Sequence, residues 1–187
     1  MIPLPEAIQR IQAGEIVVLP TDTIYGLSCD AFNRSAVERI FDIKDRGTHF
    51  ALVVLVGDQS QLELLGIQPS ERELDLIQKY WPGPLTIAFK TNRPDLEHIH
   101  RGLDSITVRM PAHAELLQLL TKTGPLISTS ANISGQPPAH AVAEAMQYFG
   151  DKVQAYYSAG ILPGSPSTIV RLDGEKVTIL RQGTLRL

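Results

Sequence analysis

The chain has 187 residues and a mass of 20.5 kDa, enough for one domain that removes roughly two-thirds to seven-tenths of its unfolded surface from water. Hydrophobic residues make up 43% and charged residues 20%, which excludes intrinsic disorder, collagen and a disulfide scaffold. Lys and Arg number 17 against 20 Asp and Glu, a formal charge of -3, so global electrostatics does not drive the protein onto nucleic acid or an anionic membrane and any anion site must be local. Cys29 is the single cysteine and cannot form an intramolecular disulfide. The opening residues MIPLPEAIQRIQAGE lack the basic and apolar regions of a signal peptide. The longest apolar stretch, Phe50 to Val56, falls far short of the roughly 20 residues that cross a bilayer. A cytoplasmic protein without membrane contact is expected.

After Pro3 and Pro5, Ile8 and Ile11 share one face and Gly14 suits a C-terminal cap, which predicts a short helix over 6–14. The β-branched run Glu15 to Leu19 reads as a buried strand that stops at Pro20, and Pro20 to Ser28 as a polar loop. Ser35 and Glu38 have capping-box spacing ahead of Val37, Ile40 and Phe41, a helix that delivers Lys44 and Arg46 at its exit. Phe50 to Val56 reads as a strand, and Ser70-Glu71-Arg72-Glu73 opens a second boxed helix that ends before Trp81-Pro82-Gly83-Pro84.

Strands are predicted at Leu85 to Lys90, Ser105 to Met110 and Pro125 to Thr129, and helices at Ala112 to Lys122 and His140 to Phe149. STIVRL and VTILR flank Asp173-Gly174 as a hairpin. With no repeat and no long linker, one mixed α/β domain over 1–187 is expected. The terminal hairpin requires antiparallel pairing, which argues against a purely parallel sheet.

Polar loops after predicted strands are where open α/β sheets place ligands. Pro20-Thr21-Asp22-Thr23-Ile24-Tyr25-Gly26-Leu27 is one such loop. Read alone, it is equally a turn whose hydroxyls satisfy local backbone, and no GxxxxGK[ST] run makes it a phosphate loop. Ser128-Thr129-Ser130-Ala131-Asn132-Ile133-Ser134-Gly135 offers hydroxyls and an amide suited to phosphate oxygens or the water shell of Mg²⁺, or to helix capping. Lys44 and Arg46 stand where a helix ends, which alone would read as a favourable dipole interaction. Arg109 and Arg181 close two strands as forks for carboxylate or phosphate, although such arginines are commonly solvated.

In order and spacing, PTDTIYGL, Lys44-x-Arg46, VRMP with Arg109, STSANISG, PSTIV with Ser167 and Thr168, and ILRQG with Arg181 resemble the YrdC/Sua5 family of threonylcarbamoyl-AMP synthases. The resemblance runs over nearly the whole chain. It implies an open, twisted mixed β-sheet with flanking helices around a concave site, and the length matches the short, catalytic-domain form. It also implies a nucleotidyltransferase that joins L-threonine, bicarbonate and ATP into threonylcarbamoyl-AMP and pyrophosphate. That product feeds N6-threonylcarbamoyladenosine formation at tRNA position 37 through a downstream threonylcarbamoyl transferase complex.

By the same resemblance the catalytic set is Lys44, Arg46, Ser130 and Asn132, and Thr21, Thr23, Tyr25 and Arg109 form the threonine pocket. Ser167 and Arg181 join Lys44, Arg46, Ser130 and Asn132 around the nucleotide. Mg²⁺ is expected to arrive with ATP and not through protein ligands. The chain departs from the family pattern after the KxR pair, where Gly47 and Ala51 replace two prolines. This bears on the rigidity of a loop over the pocket.

His98 and His100 stand two apart, but no third ligand completes a zinc spacing, so a solvated loop is expected there. Cys29 reads as a small buried residue and Trp81 as a packing anchor. Two other functions compete. A tRNA- or double-stranded-RNA-binding module of the same fold is disfavoured by the negative charge. A carbamoyl-adenylate site of the hydrogenase-maturation kind is disfavoured because those carry this domain fused to others.

Overall fold

Alternating apolar and small or polar residues along the strands decide which side of the sheet each layer covers. The computed structural model describes residues 1–44, 52–91, 93–162 and 164–187. In it the strands β1 (Val17–Leu19), β2 (Gly26–Asp30), β3 (Val53–Leu55), β4 (Leu85–Lys90), β5 (Ser105–Arg109), β6 (Leu126–Ser130), β7 (Ala155–Tyr156), β8 (Thr168–Asp173) and β9 (Lys176–Arg181) form one sheet in the order β7-β1-β2-β6-β3-β5-β4-β8-β9. Pairs β1/β7, β3/β5 and β4/β8 are parallel and the rest antiparallel, so the sheet is mixed as expected.

The helices are α1 (Leu4–Gln12), α2 (Arg34–Lys44), α3 (Gln61–Leu64), α4 (Glu71–Tyr80), α5 (Glu97–His100), α6 (Ala114–Thr123) and α7 (Val142–Phe149). Ile16, Val18, Leu27, Val54, Val108 and Ile127 turn to one face and pack with Val37 and Ile40 of α2, Ile77 of α4, Ile99 of α5 and Phe149 of α7. Their sequence neighbours Val17, Leu19, Leu55 and Leu126 turn to the other face and pack with Ile8 and Ile11 of α1 and Leu116, Leu119 and Leu120 of α6. Side chains of Leu, Ile, Val and Phe size contribute about 1.5–3 kcal/mol each when fully buried. Among the described residues no helix is long and apolar enough to cross a membrane.

The second face is small and polar between α1/α6 and β8. Gly26 lies opposite Ser130, Ser28 opposite Ser128, and Val53 between Ser128 and Thr107. Thr86 and Ala88 continue this face on β4. These short side chains leave a concavity where leucines would fill it.

Several sequence expectations are corrected. The segment read as a loop to Ser28 is strand from Gly26 onward, although GLSCD contains no β-branched residue. Its small side chains are tolerated because β2 lies close against β6: a Cβ at Gly26 would collide with Ser128 Oγ. The cap of α2 is Asn33, whose Oδ1 accepts the Ala36 N–H at 3.1 Å, so Ser35 and Glu38 lie inside the helix.

His98 and His100 are not in a solvated loop. Both are buried on α5, with Nε2 at 2.9 Å from the Ala31 carbonyl and 3.2 Å from the Arg93 carbonyl. The strand expected from Phe50 is described from Val53, the residues up to Ala51 lying outside the described segments. The Ser70/Glu73 capping box, the β8/β9 hairpin and the buried Cys29 are as expected. Trp81 is buried, donating from Nε1 to the Leu85 carbonyl at 2.7 Å and meeting Phe89 edge-on.

Candidate active site

The turn after β1 is built by one hydroxyl. Thr21 Oγ1 accepts the Thr23 and Ile24 N–H groups at 3.0 and 3.1 Å and donates to the Ile24 carbonyl at 2.7 Å. Arg109, at the end of β5, donates from one terminal nitrogen to Thr23 Oγ1 at 2.9 Å. The Thr21 and Thr23 hydroxyls stand 2.9 Å apart and share a hydrogen bond, which ties the arginine-bound hydroxyl to the one that builds the turn.

Arg109 also donates from Nε to the Gly83 carbonyl at 3.0 Å and from its other terminal nitrogen to Asp22 Oδ1. Arg109 and Asp22 form an ion pair with 5% and 12% of their side chains exposed. Burial pulls the Arg109 guanidinium below the ordinary arginine range, and the Asp22 charge opposes that shift.

At the end of β6 a buried cation holds the polar loop. Lys44 is 2% exposed, and its Nζ donates to the Ser130 carbonyl at 2.5 Å, the Asn132 carbonyl at 2.7 Å and Asn132 Oδ1 at 3.2 Å. Asn132 Oδ1 also accepts the Ser130 hydroxyl at 2.6 Å, and Asn132 Nδ2 donates to the Gln136 carbonyl at 2.6 Å. The α2 C-terminus and the STSAN segment are thereby locked together.

Tyr25 is fully buried, and its hydroxyl donates to the Gly160 carbonyl at 2.6 Å and accepts the Ala159 N–H at 3.1 Å. Leu162 N–H donates to the His140 carbonyl at 2.8 Å, and Gly164 lies so close to the turn that a Cβ there would collide with the Thr23 carbonyl oxygen. These contacts clip residues 159–162 and Gly164 against the turn. Beyond β4, Ser167 shares a 2.8 Å hydrogen bond with the buried Thr86, while the more exposed Arg181 donates to the Ser167 carbonyl at 3.1 and 2.9 Å and to Ser167 Oγ at 3.1 Å.

These segments enclose a cleft of about 170 Å³ on the small-residue face of the sheet. Seven sequence-predicted residues line it: Thr21, Thr23, Tyr25, Arg109, Ser130, Ser167 and Arg181. Lys44 and Asn132 do not line the cleft but bond to Ser130, which does. Arg46, like Gly47 and Ala51, lies outside the described residues. Asp22, Thr86 and the Gly26/Ser128 close approach were not singled out from sequence. For Thr86 the signal was present, since Leu85-Thr86-Ile87-Ala88-Phe89 alternates large apolar with small residues. Among the described residues no group of three or more His, Cys, Asp or Glu is arranged to hold a metal ion.

The chain and its fold are similar to known proteins. The Sua5/yciO/yrdC family model, described as "Telomere recombination", matches residues 9–183. A threonylcarbamoyl-AMP synthase of Pyrococcus abyssi is 38% identical over 183 residues, which is 95% of this chain and 53% of that protein. One of Halorhodospira halophila is 34% identical over 180 residues, covering 95% and 88%. The crystal structure of P. abyssi Sua5 complexed with L-threonine matches with a TM-score of 0.92 at 34% identity, over 97% of this chain and 54% of that one. The chain thus spans about half the length of the archaeal protein and most of the bacterial one. On its sequence and on its fold, the chain belongs to the Sua5/YciO/YrdC family.

Proposed function

We propose that the protein is an L-threonylcarbamoyladenylate synthase, a nucleotidyltransferase that makes threonylcarbamoyl-AMP and pyrophosphate from L-threonine, bicarbonate and ATP. The observation that carries the reading is the gathering of seven motif residues from separate parts of the chain around one cleft, two arginines among them. Relatives that match almost the whole chain bear that activity in their names, and one was solved with L-threonine.

The reaction has two steps. The threonine amine attacks bicarbonate and water leaves, giving an N-carboxylate. A carboxylate oxygen then attacks the α-phosphorus of ATP, and pyrophosphate departs with the bonding electrons. Several anions must therefore share one cavity, so positioning and charge neutralisation supply most of the catalysis. Arg109 is suited to the amino-acid carboxylate, because two of its five N–H groups remain after Gly83, Thr23 and Asp22 are served. The Tyr25 ring offers an apolar wall for the threonine methyl. Arg181, Ser167 and Ser130 are suited to the nucleotide, and Lys44 and Asn132 would act there through the loop they hold. Arg46 is assigned to the phosphates by family resemblance.

The cleft's hydroxyl oxygens would suit a Mg²⁺ that the phosphates of ATP already ligate, with Ser128 and Ser130 as acceptors for protons of its bound waters. Bound in this way the ion would neutralise charge on the triphosphate. The product would pass to a transferase acting on tRNA, in the cytoplasm where ATP and tRNA meet.

Pyrophosphate release in the presence of ATP, Mg²⁺, bicarbonate and one amino acid at a time tests the reading. Serine lacks only the methyl, a difference of about 1–3 kcal/mol, so it should react roughly 10 to 200 times less efficiently than threonine. Valine, which leaves a hydroxyl-binding group unpaired, should be rejected more strongly. Equal turnover of all three, or tRNA binding at physiological salt with no amino-acid-dependent turnover, would overturn it.

A further inference from the structure

Arg109 faces the cleft from a position 4% exposed, where a guanidinium left to itself would be both costly to bury and free to pivot about its side-chain torsions. Three groups restrain it from three directions: the Gly83 carbonyl at Nε, Thr23 Oγ1 at one terminal nitrogen and Asp22 Oδ1 at the other. Only Asp22 carries charge. Arg109 and Thr23 line the cleft and Asp22 does not, so the carboxylate grips the guanidinium without itself taking part in the wall a substrate would meet.

We infer that Asp22 is a positioning residue: its carboxylate holds the Arg109 guanidinium in the plane that presents its two remaining N–H groups to the carboxylate of the amino-acid substrate. The inference rests on the proposed synthase reading for the identity of that substrate. The restraint itself does not depend on it. Asp22 and Thr23 are adjacent in sequence and reach the two terminal nitrogens of one guanidinium, so the turn that Thr21 Oγ1 organises is also the jig for Arg109. Because the pair is neutral as a unit, the grip on an incoming carboxylate comes from directed hydrogen bonds more than from net charge.

The test has two arms. In ¹⁵N-resolved NMR of the intact protein, the Arg109 side-chain N–H groups should give separate, slowly exchanging signals, and Asp22→Asn, which keeps size and one acceptor but removes the charge, should average them. Freely rotating Arg109 signals in the parent protein would overturn the restraint whether or not any variant folds. In steady-state assays of pyrophosphate release, Asp22→Asn should raise the threonine KM at least about tenfold and leave the ATP KM within about threefold. In an Arg109→Lys background the same change should cost less than about twofold, because the group through which Asp22 acts is gone. Equal rises in both KM values, or additive penalties in the double variant, would overturn the positioning role. A parent with slow Arg109 signals but no amino-acid-dependent turnover would instead overturn the synthase reading and leave the restraint standing.

Discussion

Replacing Lys44 by methionine keeps the aliphatic stem and removes the ammonium, so it isolates what the cation contributes to the loop it holds. In the parent, Nζ donates to three acceptors among the described residues. After the change the Ser130 carbonyl still accepts the Asn132 N–H at 2.9 Å, and Asn132 Oδ1 still accepts the Ser130 hydroxyl. The Asn132 carbonyl loses its ammonium donor. Stripping a buried acceptor costs about 1–3 kcal/mol, and loss of the other two charge-assisted bonds, whose acceptors keep a second donor, adds to it while relief of the buried charge subtracts, giving a net loss of about 2–3 kcal/mol. For a chain of this size each kcal/mol shifts Tm by about 2–4 °C, so Lys44→Met should melt roughly 4–12 °C below the parent. Differential scanning calorimetry reads this directly, with the exposed Lys122→Met as a control expected within about 0.5 kcal/mol of the parent. A Lys44→Met variant that melts with the control would refute the role of the ammonium as the clamp between α2 and β6.

Other consequences are as specific. Gly164→Ala drives a Cβ into the Thr23 carbonyl, and overpacking against backbone should cost about 1–3 kcal/mol in urea unfolding; unchanged stability would refute the tight seating of Gly164 against the turn. Tyr25→Phe removes the anchor of Ala159 and Gly160, so limited proteolysis around the exposed Ile161 should accelerate, and an unchanged cleavage rate would contradict that anchoring. Burial pushes the Cys29 thiol far above its ordinary range, which starves it of thiolate; a disulfide reagent at pH 8 should leave the native protein unmodified and react once urea unfolds it, whereas rapid native modification would contradict the burial.

Elements whose residues state their own preference were legible in sequence. Ser70 to Glu73 announces α4, and Asp173-Gly174 between two β-rich runs announces the β8/β9 hairpin. Where the determining interaction comes from a distant strand, the sequence is silent. Gly26 to Asp30 becomes a strand because β1 and β6 flank it, and no local propensity says so. His98 and His100 are buried by carbonyls at Ala31 and Arg93, partners that periodicity in a four-residue helix cannot reveal.

The site divides in the same way. The hydroxyls and arginines that line the cleft were visible as motifs, since their types and order carry the chemistry. That Asp22 pairs with Arg109, or that Lys44 serves backbone carbonyls of the STSAN segment, depends on bringing residues more than 80 positions apart into contact. Only the folded chain does that.

The most direct measurement of the proposed function follows carbon from bicarbonate. The protein would be incubated with ATP, Mg²⁺, L-threonine and ¹³C-bicarbonate, and the products separated quickly and analysed by mass spectrometry. A threonylcarbamoyl-adenylate one mass unit heavier than that formed from unlabelled bicarbonate, appearing with pyrophosphate in equal amount, is the predicted result. Pyrophosphate formed with threonine but without the label entering an adenylate, or no adenylate at all from folded protein, would contradict it.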